Sequence, residues 1–410
     1  MSDAIVVTGV GVVSPLGTGS DEAWRAFAAG DGGIRVLADG DQRLQRGVDP
    51  NAVPEIGRAG WVRGFEPRAF IRSPHLRRMD WCSRMLVAVV RQAFDAAGLG
   101  ELAEDARPRT ALVVGSAFGN QRETAVYLER VLKTGPAAAQ PMLFPNLVLN
   151  AAAGYAAIEL GVEGPNVCVA EHEASGEAAL ATAFDLLRSG ICDVVCAAGV
   201  DELSGFQIET MSHLRLLHPD SMTPEGRELA WRRGRGTSGA FVPGEGAAAL
   251  VLERAAHARS RGARARATLA AARVGACEAG AYALPRDAEA AAARLLELAG
   301  EPASSISGVV GGANGVAARD RFEAALQHAL AAAARRPAGY APYKRLVGDW
   351  GAAGALAAAL AVLALEAGVL PGGPQPAGGE AAAVHDPRRL LVPGVARGGA
   401  LVPLLFDHAG

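Results

Sequence analysis

The feature that most restricts how this chain can fold is a series of short strands that are apolar from end to end. Ala111 to Val114 (ALVV), Val194 to Val200 (VVCAAGV) and Ala247 to Glu253 (AAALVLE) show almost no polar alternation. A strand with one wet face alternates apolar and polar residues, so strands of this kind must be covered on both faces. The segments between them supply the cover. Helical periodicity is predicted over Met85 to Ala97, stopping at Gly98, over Arg122 to Lys133, over Ala151 to Leu160, stopping at Gly161, and over Glu177 to Arg188. Beyond Gly239 the pattern recurs: strand Ala267 to Val274, helix Ala288 to Ala299, strand Gly308 to Gly311, helix Phe322 to Ala333, the long helix Gly351 to Ala367 and a strand pair in Leu390 to Phe406. The class is α/β, and two βα-rich halves, 1–253 and 254–410, predict a duplicated fold. Gly368 to Gly379, dense in glycine and proline, reads as a surface loop.

Several function classes are disfavoured by charge and spacing. The formal net charge is −3, which indicates neither a nucleic-acid surface nor a polyacidic tail. Basic residues cluster at Arg72 to Arg78 and Arg232 to Arg235, as solvated loops or patches for an acidic partner. The five cysteines are odd in number, lie mostly in apolar runs, and Cys192 and Cys196 lack metal-ligand spacing. They read as buried, reduced thiols of a cytoplasmic protein, and the start of the chain carries no targeting pattern. Ala352 to Ala367 is short for a membrane span and reads as a core helix. Thr8 to Gly17 superficially suggests a dinucleotide loop, yet Ser14 takes the third glycine position and Pro15 follows. His172-Glu173 lacks the second histidine of a zinc protease, and Ser175 lacks the Gly-x-Ser-x-Gly frame. His213 and His218 read as surface or interface residues. No metal and no cofactor are expected.

The ordered motifs Ile5 to Gly17 (IVVTGVGVVSPLG), Arg77 to Asp80, Gly164-Pro165-Asn166, Phe241 to Glu253 (FVPGEGAAALVLE) and Gly351 to Gly354 (GAAG) resemble those of the thiolase-fold β-ketoacyl synthases. The resemblance runs nearly end to end. It implies a five-layered αβαβα duplication that dimerises. It also implies three converging groups: a cysteine at a buried helix N-terminus, whose thiolate takes the acyl chain, and two histidines that stabilise the enolate left by malonyl decarboxylation.

At those positions the residues differ. By resemblance, Glu173 stands at the nucleophile, Gly312 and Asp349 at the two histidines, and Arg397 at the phenylalanine of the C-terminal gate. Glu323 and Lys344 match a supporting acid and lysine, whose plainer role is an internal ion pair or hydrogen-bond network. A ketosynthase that keeps its scaffold and loses these groups resembles a type II polyketide chain-length factor. Such a subunit pairs with an active ketosynthase, serves carrier-protein-bound chains and shapes the tunnel that limits product length. Glutamine is the usual replacement there, and Glu173 departs from it. Tunnel or interface candidates by resemblance are Gln121, Thr124, Tyr127 and Leu128; Gln121, Thr124 and Leu128 share one helical face, which ordinary core or dimer packing also explains. Two other readings stay open. Glu173 could be a general base for cyclisation, dehydration or hydrolysis, or the chain could be a homodimeric scaffold for acyl carrier protein docked at Arg72 to Arg78. A Glu173–Arg397 ion pair is expected to plug the acyl site, and Asp349 either joins that plug or serves as a turn residue.

Overall fold

In the computed structural model, residues 4–36, 58–214, 216–217, 241–334 and 338–409 are described. Ten strands form the main path of a twelve-stranded sheet among the described residues, with the short strands Gly17–Thr18 and Gly275–Ala276 pairing at its side: β1 (Ile5–Ser14), β2 (Thr110–Gly115), β3 (Asn166–Val169), β4 (Val194–Asp201), β5 (Gly246–Arg254), β6 (Ala267–Ala272), β7 (Gly308–Gly311), β8 (Gly339–Pro342), β9 (Arg389–Val395) and β10 (Ala400–His408). Their spatial order is β8-β7-β9-β10-β6-β1-β5-β4-β2-β3. Counted within its own half, each set of five strands lies in the order 3-2-4-5-1. The same topology therefore occurs twice, and the two copies meet where β1 pairs antiparallel with β6, from Ile5 opposite Leu269 to Val7 opposite Ala267.

The main helices are α1 (Trp81–Ala96), α2 (Gln121–Thr134), α3 (Ala151–Leu160), α4 (Ser175–Arg188), α5 (Ala288–Ala299), α6 (Ala317–Ala333) and α7 (Gly354–Ala367). On one outer side α1 packs on β1, β4, β5 and α3, and on the other α5 packs on β10 and α6. Between the two halves lie α4 and α7, which contact strands of both. This arrangement is the five-layered thiolase fold, and it explains the end-to-end apolar strands. Every residue of α7 from Gly354 to Leu365 is buried, and its leucines contribute about 1.5–3 kcal/mol each through burial. Small residues let the layers approach closely. A Cβ on Gly176 would stand 2.5 Å from the Ala352 carbonyl oxygen.

The structure extends or trims most predicted elements by about a turn, and the helix predicted from Phe322 begins five residues earlier, at Ala317. The first strand runs on to Ser14 through Gly9 and Gly11, which pack against the Ala93 and Val89 carbonyls of α1. The edge strand Gly339–Pro342 was not expected, because glycine and a terminal proline mask a four-residue parallel edge. Within Gly368 to Gly379, Val369–Leu370 and Gly373–Pro374 form short ladders with Val384–His385 and Glu380–Ala381, so part of that loop is hairpin. Arg232 to Arg235 and His218 lie outside the described residues, as does the side chain of His213. Cys82, Cys192 and Cys196 are buried, whereas Cys168 and Cys277 are only partly so, which corrects the expectation of uniformly buried thiols. No helix among the described residues is long and apolar enough to cross a membrane.

Candidate functional site: a remodelled elbow and a buried ionic cluster

The link from β3 to α4 is a sharp elbow. His172 takes a left-handed backbone at φ 46°, and the single turn His172–Ala174 leads into the helix. Ser175, fully buried, closes this turn: its hydroxyl donates to the His172 carbonyl at 2.7 Å and accepts from the Glu171 amide at 3.0 Å. Its chemistry is thus local and structural. The elbow presents Glu173 towards the turn between β9 and β10, where Gly398 and Gly399 adopt φ of 86° and 88° and place Arg397 at the tip. The Arg397 backbone amide donates to Glu173 Oε2 at 3.0 Å, and the Arg397 guanidinium pairs with Glu173 Oε1. Burial pulls the guanidinium below its usual pKa, yet an arginine starting so high remains a cation at neutral pH. A carboxylate held by an amide and a guanidinium is a poor proton acceptor.

The other sequence candidates gather in a second cluster. Lys344 opens a one-turn helix, Lys344–Val347, and its ammonium meets Asp349 Oδ1 at 2.5 Å. Asp349 Oδ2 accepts from Asn314 Nδ2 at 2.7 Å. The Asp349 carboxylate is thus buried and paired, which corrects the reading of Asp349 as a solvated turn residue and gives it partners other than Arg397. Glu323 accepts from the Gly312 amide at 2.7 Å and from the Tyr340 hydroxyl at 2.5 Å. Glu323 and Lys344 are therefore each paired within one hydrogen-bonded region, without an ion pair between them in the described contacts. A Cβ on Gly312 would lie 3.3 Å from Glu323 Oε1 and 3.4 Å from Lys344 Cε, so this position faces the cluster. Burial raises the Glu323 carboxyl and lowers the Lys344 ammonium.

Three polar residues here escaped sequence reasoning. Glu177, Arg319 and Asp201 are buried. Asp201, at the end of β4, accepts from Ser116 Oγ at 2.9 Å, from the Ala117 and Phe118 amides at 3.0 Å each, and from the Ala352 amide at 2.8 Å. It ties the loop after β2 to the approach to α7, and burial still raises it to about 6. Glu177 reads in sequence as an ordinary acid in a helix's first turn. The available signal was its isolation among apolar residues in Ala178 to Phe184. Arg319, in Arg-Asp-Arg, looked like a solvated face.

Gln121, Thr124, Tyr127 and Leu128 all lie on α2, of which only Ala125 is buried. Thr124 donates to the Asn120 carbonyl, Gln121 to the Phe118 carbonyl, and Tyr127 meets Phe144 with ring centroids 6.4 Å apart. Core packing does not account for this face. Leu128 is 50% exposed and Leu132 83%, with Met142, Phe144, Val148 and Ile158 exposed as well.

The match to known proteins follows the scaffold. The family described as "Beta-ketoacyl synthase, N-terminal domain" matches residues 2–258, and the chain belongs to the β-ketoacyl synthase family. A 3-oxoacyl-[acyl-carrier-protein] synthase 2 of Coxiella burnetii is 29% identical over 260 residues, 63% of this chain and 60% of that protein. One from Vibrio cholerae is 27% identical over the same shares. The matched region thus spans about 60% of the length of these relatives. Among solved structures, one described as the ishigamide ketosynthase/chain length factor superposes with a TM-score of 0.82 at 28% identity, covering all of both chains. A β-ketoacyl synthase from Burkholderia phymatum reaches a TM-score of 0.81 at 23% identity, again over both whole chains, and shows the shared fold.

Proposed function

We propose that this chain is a non-condensing ketosynthase-like subunit, a chain-length factor that pairs with a cysteine-bearing ketosynthase and helps shape the tunnel for carrier-bound polyketide or polyene chains. The carrying observation is the Glu173–Arg397 pair at the elbow. A carboxylate cannot hold an acyl group as a stable thioester, and a guanidinium locked onto it fills the space such a group needs. Gly312 and Asp349 supply no imidazole to stabilise an enolate. Glu173, Gly312, Asp349 and Arg397 are read together as the degenerate site, with Glu323 and Lys344 as its supporting network.

The exposed apolar residues of α2 and of the segment from Met142 to Ile158 supply a surface for the partner, and β3, which contacts α3, ends the sheet among the described residues. Arg72, His75, Arg77 and Arg78 are all exposed, a basic stretch suited to an acidic acyl carrier protein. No cofactor is required by this role, and a cytoplasmic location suits it.

Co-expression with a cysteine-bearing ketosynthase tests the reading. A one-to-one complex should form, and this chain alone should release no β-ketoacyl product from acyl and malonyl carrier thioesters. A stable homodimer whose turnover vanishes in Glu173→Ala would instead establish Glu173 as a general base. A homodimer that binds carrier protein without turnover would favour the scaffold role.

A further inference from the structure

Glu177 lies one helical turn beyond Glu173 and is 4% exposed. Room has been made for its side chain by two glycines. A Cβ on Gly354 of α7 would fall 1.8 Å from the Glu177 carboxyl carbon, and one on Gly394 of β9 would fall 3.1 Å from Glu177 Cβ and Cγ. Glu177 Oε2 has no hydrogen-bond partner among the described residues, and neither has Arg319 Nε. The only described hydrogen bond from the Arg319 guanidinium is a long one, from Nη1 to the Val395 carbonyl at 3.4 Å. Val395 follows Gly394 and ends the strand that leads to Arg397.

The charges acting on Glu177 are unequal in availability. Lys344, from the one-turn helix, is occupied by Asp349, which follows it in the same segment and itself opposes ionisation of Glu177. Arg319, from α6, makes no ion pair or hydrogen bond to a carboxylate in its described contacts, and its charge also acts on Glu323 one turn further along the same helix, which is already held by Tyr340 and the Gly312 amide. Tyr343 also faces this carboxyl, and its own hydroxyl stays protonated because burial pushes it far up. The packing residues of α7 and β9, Gly354 and Gly394, bring no charge.

We propose that Glu177 is a proton-operated latch: protonated, it packs neutrally between α4, α7 and β9, and ionised, it draws Arg319 away from the Val395 carbonyl and loosens the hairpin that carries Arg397. The proton leaves the Glu177 carboxyl for solvent, and no covalent bond changes. Burial pushes this carboxyl up to about 7, against the pull of Lys344 and Arg319, so the latch works near neutral pH. The proposal stands on the packing and the unpaired atoms and does not depend on the chain-length reading.

The sign separates two effects. A carboxyl raised from 4.5 to about 7 in the folded protein stabilises the fold fully below the unfolded value, and that stability is lost as pH rises through the interval between the two. Glu177→Gln removes the titration and keeps the shape. Its stability relative to the native protein should therefore improve from about pH 4.5 to 7 and stay level above, by about 300-fold in the folding equilibrium. Hairpin loosening requires ionisation in the folded state, so it should appear only above about pH 7.

The direct experiment is amide hydrogen exchange of Val395 to Ala400 in the full chain, native against Glu177→Gln at each pH, which cancels the intrinsic pH dependence of exchange. Faster exchange in the native protein above neutrality, absent in Glu177→Gln, is expected. Arg319→Gln should show fast exchange at every pH. Glu202 is a necessary control, because burial beside Asp80 and Glu245 raises it to about 8 in a different cluster; Glu202→Gln should leave hairpin exchange unchanged. Equal exchange in native protein and Glu177→Gln at pH 8, or an effect that follows Glu202 instead, would overturn the latch.

Discussion

Glu173 and Arg397 lie 224 positions apart in the chain and meet through one amide contact and one ion pair. Both are partly withdrawn from water, with side-chain exposures of 11% and 27%, so removing either partner leaves the other incompletely solvated. Glu173→Ala and Arg397→Ala should each lower stability by about 1–3 kcal/mol. The double substitution should cost less than the sum, and a double-mutant cycle in urea measures that coupling. Glu173→Gln keeps an acceptor for the Arg397 amide and should fall between native protein and Glu173→Ala. Additive single effects would mean that the pair is not coupled in solution.

Elements carry the next scale of consequence. Gly354 begins α7 against the carboxyl of Glu177, so Gly354→Ala forces that side chain or the helix to move, at about 1–3 kcal/mol. Glu177→Ala should relieve most of this in the double variant, as a shift in the denaturation midpoint. On α2 the reverse holds: Leu132 is 83% exposed, so Leu132→Asp should leave the melting temperature of the isolated chain nearly unchanged while abolishing co-purification with a ketosynthase partner.

How much of this was legible differs by element. The strands and helices were readable because burial on both faces imposes uninterrupted apolar runs; Ala151–Leu160 falls where periodicity and the following Gly161 put it, and Ala288–Ala299 where periodicity put it. The four-residue β8 was hidden because an edge strand can tolerate glycine and proline. At the site, resemblance alone proposes Glu173, Gly312, Asp349 and Arg397, and the structure adds that Glu173 meets Arg397 while Asp349 meets Lys344. Glu177 and Arg319 were not among them, because only the tertiary packing reveals that an acid in a helix's first turn faces inwards.

At the scale of the whole molecule, the repeated 3-2-4-5-1 strand order invites a division at 253/254, but the two central helices belong to both halves. α4 comes from the first half and contacts β6 and β10 of the second, while α7 comes from the second and contacts β1, β4 and β5 of the first. The halves should therefore unfold in a single cooperative transition by calorimetry. Residues 1–253 expressed alone should lack a resolved melting transition, since one face of α4 would lose its cover. Two separate transitions would show instead that the halves are autonomous.

The position of β3 at the end of the sheet, among the described residues, bears on how such a chain must be made. A strand with no further neighbour among the described residues, flanked by exposed leucine, phenylalanine and isoleucine, offers hydrogen-bonding groups that another strand, a second copy of this chain included, can take up. If a ketosynthase is its proper neighbour, the timing of synthesis becomes part of folding. An excess of this chain, even briefly, would be lost to disordered self-association, so a cell using it gains from producing both subunits side by side and in matched amounts.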